Sequence, residues 1–316
     1  MARPSSSALS SGQLFTKETL IRGKPDRIEC IEIGGQTFSI NRGLVTIARL
    51  EDEWYEDLKD PQSVINALRA SSGYKPDILT FWQRMPDIEP RYPYHLEWED
   101  IAVLMIESYD SWWKNQIKPR VRNLIRKSEK EGLVVREARY DDDFVRGMTA
   151  IFNETSVRQG RRFWHYGKNF STVKAQFSRF LFREHLIGAY FQDEMIGFMM
   201  LGDAGRYGLT GQVLSSVRHR DKAPNNALIA KAVEVCAARG LGALIYLFWS
   251  DDSLAEFKRR CGFERVRVPR YYVPLTATGA LAIGCGAHRG WKAMLPKPIT
   301  SALKRLRVGW HELRKG

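Results

Sequence analysis

From residue 133 onward, the hydrophobic and polar positions switch repeatedly between a two-residue and a three-to-four-residue period, and the order of the switches predicts an architecture. Residues 133–138 alternate as a strand. Residues 141–159 read as a helix whose first turn carries Asp141, Asp142 and Asp143, the charge that suits a helix N-terminus. A second helix is expected over 171–185. Three strands follow at 186–191, 195–201 and 207–215, joined by turns at Gln192-Asp193-Glu194 and Gly202-Asp203-Ala204-Gly205. A helix then opens near Pro224-Asn225-Asn226, carries Leu228, Ala232, Val235 and Cys236 on one face, and stops at Arg239-Gly240. Residues 243–249 form an almost continuous apolar run, as a strand covered on both faces requires. Ser253 and Glu256 make a capping box for a short helix ending at Cys261-Gly262, and two closing strands are expected at 263–268 and 271–275.

Upstream, short apolar alternations at 28–33, 36–40 and 44–50, a helix over 61–70, a strand at 77–82, a proline-bearing loop at 87–93 and a strand at 95–106 predict an α+β region. In 108–131, Ile117, Val121, Leu124 and Ser128 recur at helical spacing while Lys114, Lys118, Arg120, Arg122, Arg126, Lys127 and Lys130 cover the other faces. This basic helical stretch breaks near Pro119 and ends at Gly132. Residues 1–26 are polar, serine-rich and aperiodic, and are expected to be a flexible leader. At the other end, Ile299, Leu303, Leu306, Trp310 and Leu313 share one helical stripe, with Lys304, Arg305, Arg307, Arg314 and Lys315 beside it. Such a basic amphipathic tail fits docking onto the body of the protein, and equally a peripheral contact with an anionic membrane.

Composition narrows the function classes. A chain of 316 residues with 44% hydrophobic and 11% aromatic residues can bury a core and has room for two domains. No apolar run is long enough to span a bilayer and the first residues have no signal core, so a cytoplasmic location is expected, with the inner membrane face as the tail's destination. The net charge of +13 favours anionic partners: CoA phosphates, nucleic acid or acidic lipid. Cys30, Cys236, Cys261 and Cys285 lack paired metal-ligand spacing, and His165, His185 and His219 stand singly, so no metal is expected. Neither a Ser-His-Asp order nor a nucleophile elbow is present.

The element order over residues 133–275 resembles that of the GNAT acyltransferase superfamily. Two stretches sharpen the likeness. Ala223-Pro224-Asn225-Asn226-Ala227-Leu228 starts a helix running to Ala238-Arg239-Gly240, and Leu254-Ala255-Glu256-Phe257-Lys258-Arg259-Arg260-Cys261-Gly262-Phe263 precedes the closing strands. Both are similar to the acetyltransferase-like branch related to the Fem-type peptidyltransferases, in which a helix with a Phe-Lys and a following Gly comes after the central strand. Residues 120–138 resemble the basic linker before the second GNAT-like unit of Fem-type proteins. The resemblance implies an α+β fold with a GNAT-type mixed central sheet flanked by helices, 27–131 containing a degenerate N-terminal half, 132–278 the acyltransferase domain, and 279–316 the tail.

The resemblance also implies chemistry. The central helix would present its unpaired N–H groups to a pyrophosphate, making Arg218, Arg220, Lys222, Asn225 and Asn226 the donor-binding candidates and acyl-CoA the expected co-substrate, with no permanently bound cofactor. The family's two loop glycines are missing here, and the alternative reading is an ordinary solvated basic loop before a helix. The family's usual strand carboxylate is absent, Gln212 being the long polar residue there, and Lys258 stands in place of its acid tyrosine. Glu154, Asp203, Asp251 and Asp252 are then the candidate bases, Glu154 and Asp251 preferred, each also readable as a capping or surface carboxylate. Arg161, Arg162, Trp164 and Tyr166 mix cations with aromatics where the family admits its acceptor, and with Gln212 they are the substrate-binding candidates. The expected function is N-acyl transfer from a CoA thioester to a small-molecule or peptide-like amine. The alternatives are Fem-like transfer from aminoacyl-tRNA, or non-catalytic binding of nucleic acid or anionic lipid.

Overall fold

Strands β1 (Leu14–Ile21), β2 (Lys24–Ile33), β3 (Gln36–Asn41) and β4 (Ile47–Leu50) are successive antiparallel neighbours in the structure, a computed structural model that describes residues 14–21, 24–71, 75–158, 160–178, 181–249 and 253–290. Helix α1 (Pro61–Ala70) crosses to β5 (Ile78–Trp82), which lies parallel to β4, and β6 (His95–Met105) follows. A short helix α2 (Tyr109–Ser111) runs on through a π-turn at Trp112–Gln116 into α3 (Pro119–Lys130). The second half begins with β7 (Val134–Ala138), α4 (Asp142–Asn153), a ribbon of β8 (Val157–Arg158) and β9 (Arg161–Arg162), and α5 (Phe170–Phe177). It continues through β10 (Glu184–Phe191), β11 (Glu194–Asp203), β12 (Gly208–Ser215), α6 (Pro224–Ala238), β13 (Ala243–Phe248), α7 (Ser253–Arg260), β14 (Glu264–Pro274) and α8 (Ala277–Gly284).

Apart from the β8–β9 ribbon, the described strands join in one mixed sheet of order β1-β2-β3-β4-β5-β14-β6-β13-β12-β11-β10-β7. The two ends of this order correspond. Each half has four antiparallel strands, a helix, and a fifth strand parallel to the fourth; its sixth strand lodges beside the fifth strand of the other half. Thus β14 pairs with β5 and β6, and β6 with β13. The exchange is fastened by a buried ion pair, in which Arg270 on β14 donates twice to Glu53 (2.9 and 3.0 Å) and once to Glu99 on β6 (2.7 Å).

The sheet is covered on both faces over its second half. Helix α6 buries Leu228, Ile229, Val233 and Cys236 between the sheet and the Val121 and Ile125 face of α3. On the opposite face, Phe144, Val145, Met148 and Phe152 of α4 meet Leu186, Phe198 and Met200. In the first half, Val64, Ile65 and Leu68 of α1 pack on Ile31, Phe38 and Leu50.

The α+β sheet is as expected, and five boundaries are corrected, one being the helix expected over 141–159, which stops at Asn153 ahead of the β8–β9 ribbon. Residues 14–21 and 24–33 are strands, so the second part of the expected leader belongs to the sheet. The two closing strands are one strand of 11 residues, because the first half supplies its partners; Pro269 falls at the end of the β5 ladder, whose last pair is Arg270↔Trp82, where a missing N–H costs little. The helix expected to reach 185 stops at Phe177, and a 3₁₀ turn at Leu181–Arg183 leads directly into β10. Residues 279–290, read as the start of the tail, dock through buried Ala282 and His288; the stripe from Ile299 to Leu313 lies outside the described residues. Among the described residues no helix is long and apolar enough to cross a membrane.

Candidate active site

Strands β12 and β13 are parallel neighbours for only two residue pairs, Gly208↔Leu244 and Leu209↔Ile245, and then part. Irregularities on both strands accompany the parting. Gly211 is an extra residue in β12 opposite β11, and β13 shifts against β6 between Ile245 and Phe248, where Leu247 takes φ +43°. A left-handed leucine is strained by roughly 1 kcal/mol or more, and such strain persists only where the surrounding fold holds it. Carbonyls beyond the last pair need other donors. Lys258 on α7, 1% exposed, supplies them: its Nζ donates to the Tyr246 oxygen (2.8 Å) and the Phe248 oxygen (2.7 Å). The expected acid therefore sits at the opening with its ammonium anchored on main chain.

Helix α6 starts beside this opening. Its N-cap, Ala223, has φ +48° and no side chain able to accept from the first turn, and Pro224 follows at the first helical position. The positive end of the helix is thereby left without a side-chain cap. Of the expected cations before it, Arg218 donates to Glu154 (3.2 Å) and Glu194 (3.2 Å), Lys222 to Glu131 (3.1 Å), and Arg220 is exposed. The Lys222–Glu131 pair sets the basic face of α3 beside the 218–222 loop, a proximity the sequence could not give. In the first turn, the Oδ1 of Asn225 is buried with no hydrogen-bond partner, and the amide of Asn226 lies 3.9 Å from the Cys261 sulfur. A cavity of about 360 Å³ opens there, walled by Arg120 and Leu124 of α3, Asn226 of α6, and Ser253, Phe257 and Arg260 of α7.

Glu154, just past α4, accepts from Ser216 Oγ (2.8 Å), the Val217 amide (2.5 Å) and the Arg218 amide (2.9 Å). Burial by itself would raise its pKa, but these donors outweigh burial and hold it at about 2. A carboxylate so held takes no proton near neutral pH, which corrects its expected role as a base: it is a latch between α4 and the loop before α6. Arg158 makes a parallel fastening, donating to the oxygens of Ser215 (2.8 Å) and Ile151 (3.0 Å), and so fixes the β8–β9 ribbon to the end of β12. Arg161 and Arg162 stand exposed on that ribbon, and Trp164 and Tyr166 are half exposed after it. Between the last two, His165 stacks on Phe152 at 4.2 Å, and burial lowers its pKa to about 3. Lys168 lies 4.1 Å from the Trp164 ring centre, donates to Gln176 (2.6 Å), and is lowered by burial to about 8. Asp251 lies outside the described residues.

A carboxylate that the sequence reading passed over stands on the same sheet face as Gln212. Glu184 is the first residue of β10; in register it lies opposite Gly202, one row from Leu186, Met200 and Gln212. Its Oε2 is buried with no hydrogen-bond partner, and burial raises its pKa to about 7. Gly202 makes room for Tyr55, whose hydroxyl would stand 2.5 Å from a Cβ there, and Gly211 lies beside the Glu184 Oε1, which a Cβ there would meet at 3.4 Å. Burial first, then the Glu184 charge, raises the pKa of Tyr55. The first half thus walls the site, since Trp54, next to Tyr55, packs edge-on against Phe248 at 5.4 Å and Trp82 at 4.3 Å.

No family model and no curated protein matches the sequence. Solved structures do match. FemX superposes with a TM-score of 0.53 at 10% identity, covering 85% of this chain and 90% of that one. The C-terminal domain (DUF2156) of a putative lysylphosphatidylglycerol synthetase from Agrobacterium fabrum gives 0.53 at 12% identity, covering 87% and 88%. The chain shares the fold of FemX and of this domain. L-PGS from Bacillus licheniformis gives 0.53 at 13% identity over 79% of this chain and 84% of its own. At such identities the Fem-related likeness fixes architecture, and the chemistry rests on this chain's residues. Within that fold, Arg218, Arg220, Lys222, Asn225 and Asn226 gather at one helix end as the sequence led one to expect. Glu184 was hidden inside a predicted helix; the signal for it was the alternation Glu184, Leu186, Gly188, which puts a carboxylate in line with core positions.

Proposed function

We propose that the protein is an acyltransferase that moves an aminoacyl group from an aminoacyl-tRNA to an amine, using the opening between β12 and β13. One observation carries this reading: the uncapped end of α6 and the basic face of α3 are joined at that opening by the Lys222–Glu131 pair. Cations spread over two neighbouring elements suit an extended polyanion, whereas a single phosphate cradle would need cations that are free, and Arg218 and Lys222 are engaged by carboxylates. In the reaction, Glu184 takes a proton from the acceptor ammonium and the amine nitrogen attacks the ester carbonyl. The carbon–oxygen ester bond then breaks as the nitrogen gives up its second proton and the departing ribose oxygen takes one, an exchange in which the Lys258 ammonium, held on the Tyr246 and Phe248 oxygens at the parted strands, is assigned as the relay that donates one proton and regains the other. Arg161, Arg162, Trp164, Tyr166 and Gln212 are assigned to acceptor binding.

Transfer from charged tRNA and from acyl-CoA donors to a panel of amines tests the proposal, with phosphatidylglycerol added to the acceptors because of the likeness to a lysylphosphatidylglycerol synthetase. The expected result is transfer from tRNA whose rate rises with pH to a plateau, half-maximal near the Glu184 pKa of about 7, and a loss of about 100-fold or more in E184Q. A CoA thioester donor is the second reading, favoured by the cavity of about 360 Å³ at the α6 terminus; transfer from acyl-CoA alone would establish it. Salt-sensitive tRNA binding with no transfer from either donor would leave a non-catalytic binder and defeat both.

A further inference from the structure

Far from the parted strands, β6 begins with His95 and Glu97, which share one face of the strand because they are two residues apart. The chain returns to them at its C-terminal end, where a 3₁₀ turn after α8 brings in His288. One oxygen of Glu97 lies 2.6 Å from His288 Nε2 and 3.5 Å from His95 Nε2, and one ligand atom from each of the three residues lies within 4.8 Å of the other two. Two features distinguish this group from a casual surface cluster. The ring of His288 is buried, its side chain 1% exposed, and its Nδ1 donates to the Ala282 oxygen at 3.2 Å. That bond leaves the lone pair of the neutral ring on Nε2, aimed at the carboxylate, which is the second-shell orientation found for metal-bound histidines. A lone pair and a carboxylate oxygen at 2.6 Å repel unless a cation lies between them, whether a proton or a metal ion.

We propose that His95, Glu97 and His288 bind one divalent cation of the zinc class. Two imidazole nitrogens and one carboxylate oxygen suit Zn²⁺ or Co²⁺ and suit Mg²⁺ and Ca²⁺ poorly. Tetrahedral zinc, at about 2.0 to 2.2 Å from each ligand, needs its ligand atoms roughly 3.3 to 3.5 Å apart, so His288 and Glu97 separate slightly on binding. His95, 41% exposed, closes from the open side, and solvent takes the fourth position. Arg289 Nε, at 2.9 Å from the same Glu97 oxygen, competes with the ion; its side chain is 56% exposed and free to withdraw. The bound ion would fasten the docked segment 277–290 to β6.

The test uses the full chain, freed of metal with a chelator and titrated with Co²⁺ followed by visible absorption, and with Zn²⁺ followed by thermal unfolding. One equivalent of Co²⁺ should give a saturable tetrahedral-type spectrum, and Zn²⁺ should raise the melting temperature. H95A, whose exposed position leaves the fold intact, and E97Q should each weaken binding about tenfold or more, while R289A should bind at least as tightly as the parent chain. Absence of a saturable Co²⁺ spectrum, or unchanged affinity in both H95A and E97Q, would overturn the proposal and leave the group as a proton-bridged clamp.

Discussion

Helices α1 and α6 occupy equivalent places in the two halves of the sheet, each between a fourth strand and a parallel fifth, and each has proline at its first turn. Their N-termini differ. The Asp60 side chain caps α1 by accepting from the Ser63 amide (3.0 Å) and hydroxyl (2.5 Å), so one end is already neutralised by a carboxylate. Ala223 offers α6 no such group. The strands differ in the same sense: β4 ends at Leu50, after pairing with β5 at Ile47, Ala48 and Arg49, whereas β12 runs on from Leu209 to Ser215 after its last pair with β13. One frame is thus closed in the first half and open in the second. The closed half still contributes, since Trp54 and Tyr55, on the chain between β4 and α1, wall the open one.

The exchange of β6 and β14 makes the halves interdependent, and the strongest way to break the comparison is to loosen it. R270M leaves Glu53 buried without its bidentate partner, an error worth about 3 to 5 kcal/mol. Chemical denaturation should show one transition for the parent and a lower midpoint for the variant; two separate transitions in the parent would mean that the halves fold alone. The next effect lies in the open half. E154A strands the Val217 and Arg218 amides and should cost about 2 to 3 kcal/mol. Because the folded pKa of Glu154 is lowered from 4.5 to about 2, the stability it confers is present above about pH 4.5 and is lost as the pH falls toward 2. Parent and variant should therefore converge in stability through that window.

Glu184 shifts the other way, and its stability effect should be smaller and of opposite sign. Its folded pKa is raised from 4.5 to about 7, so stability declines as the pH rises through that interval and the carboxyl ionises in place. E184Q, which cannot ionise, should be more stable than the parent by roughly 1 to 2 kcal/mol at pH 8 and no more stable at pH 4, as measured by thermal unfolding. A variant equally stable at both values would mean that the carboxyl is well solvated, and would remove the argument for it as a base.

How far the sequence spoke follows the same division. In the second half the helix at Pro224 and the run at 243–249 match α6 and β13 closely, since burial on one face or both is written in local spacing, whereas the ends of α4 and α5 were not legible that way. What local spacing cannot carry is pairing between distant strands. Residues 263–268 and 271–275 read as two strands by themselves; only the pairing with β6 makes them one. The site divides likewise. The cations before α6 were legible as a cluster, but Glu154 as a latch depends on donors 62 to 64 residues away, and Glu184 as a perturbed carboxyl depends on the burial that the pairing of β10 with β11 creates.

The smallest predicted effects test the capping contrast directly. D60A removes the cap of α1 and should cost about 1 kcal/mol of stability while leaving tRNA affinity unchanged, because that end faces no basic surface in the proposed complex. A223D makes the reverse change and gives α6 the carboxylate that α1 has. Aspartate tolerates the left-handed conformation at Ala223 better than most side chains, so the helix should persist. A charge at the first turn interacts with the helix end by about 0.3 to 1 kcal/mol, which predicts tRNA binding weakened roughly two- to fivefold at low salt, with the difference shrinking as salt rises. Filter binding of the two variants beside the parent would read both changes. If A223D bound as the parent does, the anion would be held by α3 and the 218–222 loop alone, and the open helix end would be a consequence of the parted strands with no part in holding the donor.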